Sequence, residues 1–187
     1  MPDPVPLRPI VGTLIYPLDR VGGRVLMIHR NTRSDDDHFG KFNGLGGKLE
    51  RDEDVMGSAC REVHEESGLT VTGLHLRGTI TWSGFGPNQE DWLAFVFLAD
   101  AWDGEPLRET PEGTLEWIPL ERLLSACSPD AEVRAAAGLP MWEGDRYFVP
   151  LVFDDDPRPF HGTMPYDGDR PLGWTVRRGP AGGRRDV

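Results

Sequence analysis

GKLERDEDVMGSACREVHEESGL, residues 47–69, is the stretch whose reading decides the fold. Asp52, Glu53 and Asp54 put acids where a helix would begin, and the helix dipole favours negative charge there. Gly68 stands where the helix would stop, because glycine readily enters the left-handed conformation that closes helices. The interval between allows about four turns at ~1.5 Å per residue. Glu62, Glu65 and Glu66 are spaced i, i+3, i+4 and so share one helix face. At about 100° per residue, Glu65 lies roughly 60° to one side of Glu62 and Glu66 roughly 40° to the other. Val55, Met56, Ala59, Cys60 and Val63 fall on an arc that begins among these glutamates and runs away from Glu65. The pattern predicts a buried stripe with acids along its edge.

Three carboxylates this close repel one another, and like charges at this spacing destabilise a helix. A divalent cation would remove that cost. Oxygen ligands without clustered sulfur or histidine suit Mg²⁺ or Mn²⁺ better than zinc. A bare E-x-x-E-E reads more readily as a solvated acidic face. The wider pattern decides between the two. Gly47, Glu53, Arg61, Glu62, Val63, Glu65, Glu66, Gly68 and Leu69 satisfy G-x5-E-x7-R-E-U-x-E-E-x-G-U, with U aliphatic. This resembles the Nudix box, the signature of the Nudix hydrolase family, and nine fixed positions are far more specific than a short motif.

The resemblance implies an α/β fold: an α/β/α sandwich with a mixed central sheet and the Nudix loop-helix-loop. It implies Mg²⁺-dependent hydrolysis of a nucleoside diphosphate linked to another group, with Mn²⁺ as a possible substitute. Carried over by residue, Glu62, Glu65 and Glu66 look like metal ligands, and Gly46 looks like the donor of a backbone carbonyl. Arg61 and Glu53 resemble the pair that fixes the helix against its loop. The general base would be Glu65 or Glu66, with Glu112, in the loop before Trp117, as the other candidate.

A chain of 187 residues is long enough for one domain with a sizeable core. Residues 1–8 are proline-rich and read as irregular, 9–176 as the hydrolase domain, and 177–187 as a flexible basic tail. No apolar run approaches a membrane span, and the first residues lack the basic-then-apolar pattern of a signal peptide. Cys60 and Cys127 are too few for a disulfide framework. The cytoplasm is the expected location, as a monomer or homodimer. A net charge of −11 argues against a nucleic-acid polymer or an anionic membrane as partner, since basic residues supply that affinity. It leaves a nucleotide substrate open, because a bound cation inverts the sign of an acidic site.

Apolar patterning predicts strands over 10–16, 24–30, 71–85, 92–98, 116–120, 147–153, 160–164 and 173–176. Residues 121–126 and 131–137 read as helical, with a break at Pro129. Residues 31–38 read as a polar surface loop beside a cleft, and 105–113 as another polar loop.

The flanks narrow the resemblance. FNGLGGK at 42–48, the sequence at 141–151 and FHG at 160–162 look like the oxidised-purine (8-oxo-dGTP) nucleoside triphosphatases of the MutT-homologue type. By that likeness Asn43 touches the base, Trp142 stacks on it and Asp145 binds the purine edge. Arg30 contacts the sugar or phosphates, Trp82 walls the pocket, and Lys48 joins the substrate-binding set. Without the likeness, Trp82 and Trp142 read as core, Asn43 as a turn residue and Arg30 as a solvated strand end. His29, His38, His64, His75 and His161 are scattered and read as non-ligands. Two departures stand out. The subgroup has two adjacent aspartates after the tryptophan, whereas this chain has Glu143, Gly144 and Asp145, so either Glu143 replaces the acid lost at 144 or the base preference differs. Gly84 stands at a second aromatic wall position, which predicts a wider pocket. The leading function is therefore Mg²⁺-dependent hydrolysis of oxidised purine nucleoside triphosphates to monophosphate and pyrophosphate, in nucleotide-pool sanitation. The alternatives are a broad nucleoside triphosphate pyrophosphatase, a non-hydrolytic Nudix binding module, or an isomerase on the same fold.

Overall fold

The apolar runs become neighbouring strands covered on both faces. The computed structural model describes residues 6–179. In chain order the elements are β1 (Ile10–Asp19), β2 (Arg24–His29), β3 (Phe42–Asn43), α1 (Val55–Ser67), β4 (Thr70–Phe85), β5 (Glu90–Asp103), β6 (Glu109–Thr110) and β7 (Gly113–Pro119). Then follow α2 (Leu120–Ala126), α3 (Ala131–Ala137), α4 (Asp145–Phe153), β8 (Phe160–Gly168), β9 (Arg170–Pro171) and β10 (Thr175–Arg178). The sheet runs β10-β8-β4-β5-β1-β2-β7-β6, with β3 beside β2 and β9 beside β8. It is mixed: β1 pairs parallel with β5 and β4 parallel with β8, while β4–β5 and β2–β7 are antiparallel.

Alternation sorts the side chains into two cores. Ile15, Leu26, Ile28, Phe97 and Ala99 face Ala59 and Val63 of α1. Tyr16, Val25, Met27, Val96 and Leu98 face the opposite layer, with Leu123 of α2 and Phe148, Val149 and Val152 of α4. Strands buried on both faces read as continuous apolar runs, which is why 92–98 has no polar alternation.

Three details differ from expectation. The apolar run 147–153 is not a strand but most of helix α4. Its buried residues Phe148, Val149 and Val152 recur at helical spacing, and a short apolar run does not distinguish the two states by hydrophobicity alone. Pro150 sits inside this helix, where it forgoes one backbone bond. The buried stripe of α1 is also rotated: Ser58, Ala59, Val63 and Ser67 are buried, whereas Met56 is 45% exposed. Finally, Arg177 and Arg178, placed in the expected tail, lie in β10, which pairs with β8. Residues 180–187 of that tail, and 1–5 at the other end, lie outside the described residues.

Candidate active site

The glycine loop ahead of α1 is laid along β1 like an extra strand. The amides of Thr13 and Ile15 donate to the carbonyls of Gly47 (2.9 Å) and Leu45 (2.6 Å), and the Leu49 amide donates to Val11 O (2.9 Å). Gly46 has φ 135°, and a Cβ there would fall 2.1 Å from Thr13 O, so only glycine fits this crossing. α1 then starts at Asp54, whose carboxylate accepts from the amides of Met56 and Gly57 at 2.9 Å each. It ends at Gly68, left-handed at φ 75°, whose amide donates to His64 O.

Arg61 ties this helix back to its loop. Its guanidinium donates two bonds to Glu53, at 2.9 and 3.0 Å, and further bonds to Glu62 (2.9 Å), Glu65 (3.1 Å) and Lys48 O (3.3 Å). The Arg61 bond holds the Glu53 carboxyl down at about 2. Glu66 is more enclosed and accepts from the Gly46 amide at 2.8 Å. Burial pushes its carboxyl up to about 8, and the charges of Glu112 and Glu62 add to that. Burial also raises Glu62, whose carboxylate packs on Gly47 so closely that a Cβ there would lie 2.4 Å from its Oε1. Glu112 sits across from them and accepts from Arg30, which also donates to Asp36 at 2.9 Å.

The donors fit a hard divalent cation in kind: the partly buried carboxylates of Glu62 and Glu66 and the exposed one of Glu65 stand beside a glycine backbone, and the charge of Glu62 adds to the raised pKa of Glu66. Among the described residues no group of His, Cys, Asp or Glu is gathered as a ready metal cage. Arg61 and the Gly46 amide hold the glutamates instead.

One cavity of about 770 Å³ joins this acidic wall to an aromatic chamber. Gly46, Glu62, Glu65, Glu66, Arg61 and Glu112 line one end, and Arg30, bonded to Glu112, and Lys48 also belong to the lining. Asn43, Trp82, Trp142 and Asp145 line the other. Of the expected site residues only Glu53 stands outside the lining, behind Arg61. Lys48 Nζ lies 5.4 Å from the Trp92 ring and Lys41 Nζ 4.0 Å from Trp142.

Among the lining residues that were not anticipated are His38, Phe85 and Tyr166. The expectation of a wider pocket at Gly84 is corrected by Phe85. The strand register shifts between Trp82 and Phe85, and Gly84 turns with φ 72°. This bulge brings Phe85 onto the Trp82 side, with ring centroids 6.2 Å apart, and sets it edge-on to Trp142 at 5.2 Å. Glu143 does not take the place of an acid at 144. It is exposed and pairs with Arg146 at 3.0 Å, outside the cavity lining.

His38 fixes its neighbours by hydrogen-bond logic. Trp142 Nε1 can only donate, and it lies 2.8 Å from His38 Nδ1. That nitrogen is therefore an acceptor. The Asn43 amide 3.1 Å from the same atom must present its Nδ2–H, which leaves its Oδ1 free of that bond. Burial lowers the His38 pKa, consistent with a neutral ring. Asp145 opens the first turn of α4, and burial pushes its carboxyl up to about 7 against the pull of the Trp142 backbone and Lys41.

This sheet, its loop-helix-loop and the two-ended cavity place the protein among the α/β/α sandwich hydrolases. Residues 7–138 match the family model described as the NUDIX domain, and the chain belongs to that family as a Nudix hydrolase. It is 33% identical over 129 residues to an oxidized purine nucleoside triphosphate hydrolase of Danio rerio, covering 69% of this chain and 72% of that one. The protein of the same description from Mus musculus is 32% identical over 139 residues, 74% and 78% of the two chains. A crystal structure of a mutator MutT protein from Bacillus halodurans superposes with TM-score 0.70 at 27% identity, over 89% of this chain and 97% of that one.

Proposed function

We propose that the protein hydrolyses oxidised purine nucleoside triphosphates to monophosphate and pyrophosphate, with residues 9–176 acting as one catalytic unit. The observation that carries this reading is the single cavity, acidic at one end and aromatic at the other. Nucleotides have the same two ends. The names borne by the Danio rerio and Mus musculus relatives point the same way. Glu62, Glu65, Glu66 and the Gly46 carbonyl would hold Mg²⁺ or Mn²⁺, which would neutralise phosphate charge and acidify water. Arg61, clamped by Glu53, keeps the glutamate face in register with the glycine loop. Arg30 and Lys48, both in the cavity lining, would contact the sugar and phosphates. Trp142, Trp82 and Phe85 enclose the base, and Asn43 and Asp145 face its polar edge. Phosphoryl transfer depends on such positioning and electrostatics more than on a covalent nucleophile.

The test is product identification with 8-oxo-dGTP and Mg²⁺, for the wild type and Glu65→Gln. The reading expects monophosphate and pyrophosphate, no turnover when the metal is chelated, and a loss of about 10²-fold or more in the variant. A nucleoside diphosphate with free phosphate would contradict the bond assignment. A variant retaining more than about a tenth of the rate would remove Glu65 from the catalytic set.

A further inference from the structure

Gly144 is a glycine for want of space. Its backbone, at φ −67° and ψ −27°, is open to any residue. A Cβ added there would fall 1.9 Å from the hydroxyl of Tyr166 and 2.7 Å from Met164 Sδ. The Tyr166 hydroxyl thus occupies the volume that a side chain at 144 would fill, at the start of α4 and one residue from Asp145. Tyr166 lies on β8, and its ring is set edge-on to Phe85 at 4.9 Å, so ring packing fixes the direction of the hydroxyl. Among the described residues nothing hydrogen-bonds to that oxygen, and it is not one of the fully buried unpaired polar atoms, so it stays accessible from the cavity that Tyr166 lines.

We propose that Tyr166 is a specificity-determining residue whose hydroxyl hydrogen-bonds the edge of the bound base alongside Asp145, and that Gly144 is its seat. This rests on the nucleotide reading above. Burial and the charge of Asp145 raise the Tyr166 pKa, so the group is a neutral O–H donor. It suits a base carrying an exocyclic carbonyl at that edge, as an oxopurine does. A hydrocarbon edge or an unmatched donor would leave the hydroxyl buried and unpaired, which is the stronger source of discrimination.

The test compares kcat/KM for 8-oxo-dGTP, dGTP, dATP and UTP in the wild type, Tyr166→Phe, Gly144→Ala and the double variant. Tyr166→Phe keeps the ring and loses the hydroxyl. The oxopurine preference should fall about fivefold or more, mostly through KM. Gly144→Ala should produce the same loss by displacing the hydroxyl. In the double variant the hydroxyl clash is gone and only the flexible Met164 thioether, 2.7 Å from the added Cβ, must shift, so it should discriminate no worse than Tyr166→Phe alone. A Tyr166→Phe enzyme with the wild-type ranking and KM overturns the inference while leaving the nucleotide reading intact. A wild type that turns over none of the purine triphosphates overturns that reading first and this inference with it.

Discussion

At the scale of single residues, environment assigns different states to chemically equal groups. Glu53 and Asp145 are both carboxylic acids. One is held down at about 2 by Arg61, and the other is pushed up to about 7 by burial. Asp145 gives a stability prediction with a definite sign. In the unfolded chain it titrates near an ordinary aspartate, at ~4, and in the folded chain at about 7. Between those values the unfolded chain has released the proton and the folded chain still holds it. Folding therefore loses stability as pH rises across that window, and the loss is complete above it. Asp145→Asn removes this contribution. Urea midpoints of wild type and variant, measured from pH 4 to 8, should diverge in favour of the variant, by a few kcal/mol at most, and then run parallel. A difference that stays constant with pH would show that Asp145 ionises normally. The sequence pointed to Asp145 through a resemblance, but His38, Phe85 and Tyr166 carried no such signal. Their roles depend on partners at 142, 82 and 144, brought close only by the fold.

At the scale of elements, legibility followed the locality of the cause. α1 was readable because its cap, its stop and its glutamate face all lie within residues 47–69. Asp54→Ala removes the carboxylate that accepts from Met56 and Gly57 and should cost about 1 kcal/mol in urea unfolding. No measurable change would mean that the loop, rather than the cap, sets where the helix begins. The rotation of the buried stripe, with Ser58 inside and Met56 outside, comes from the tertiary partner. Ala59 and Val63 meet Ile15 and Leu45, and a serine fits that close approach as well as an alanine. α4 was misread as a strand because 147–153 is apolar throughout, and its helical state depends on the sheet face that buries Phe148 and Val152. The bulge at Gly84 was equally hidden: period-two alternation assigns Phe85 to the wrong side, and only the shifted pairing with β5 and β8 corrects it.

At the scale of the whole molecule, the sheet places two unrelated layers against one cavity. α1 and its loop bring carboxylates from one side of the β1–β5 pair. β3, β4, β8 and the start of α4 with the residues just before it bring the aromatic walls, Asn43 and Asp145. Apart from Glu112, the acidic end is local in sequence, within residues 46–66. The aromatic end is assembled from positions 43, 82, 142, 145 and 166. This division explains why reaction type was more legible than substrate. It also makes the central claim measurable: the aromatic end selects what the acidic end cleaves. The decisive quantity is the ratio of kcat/KM for 8-oxo-dGTP to that for dGTP, read by pyrophosphate release with Mg²⁺ at low substrate concentration. A preference of about tenfold or more, ~1.4 kcal/mol, is predicted for the oxidised purine. Equal values for the two, with ATP and UTP cleaved as well, would contradict the account and make the protein a general triphosphate pyrophosphatase.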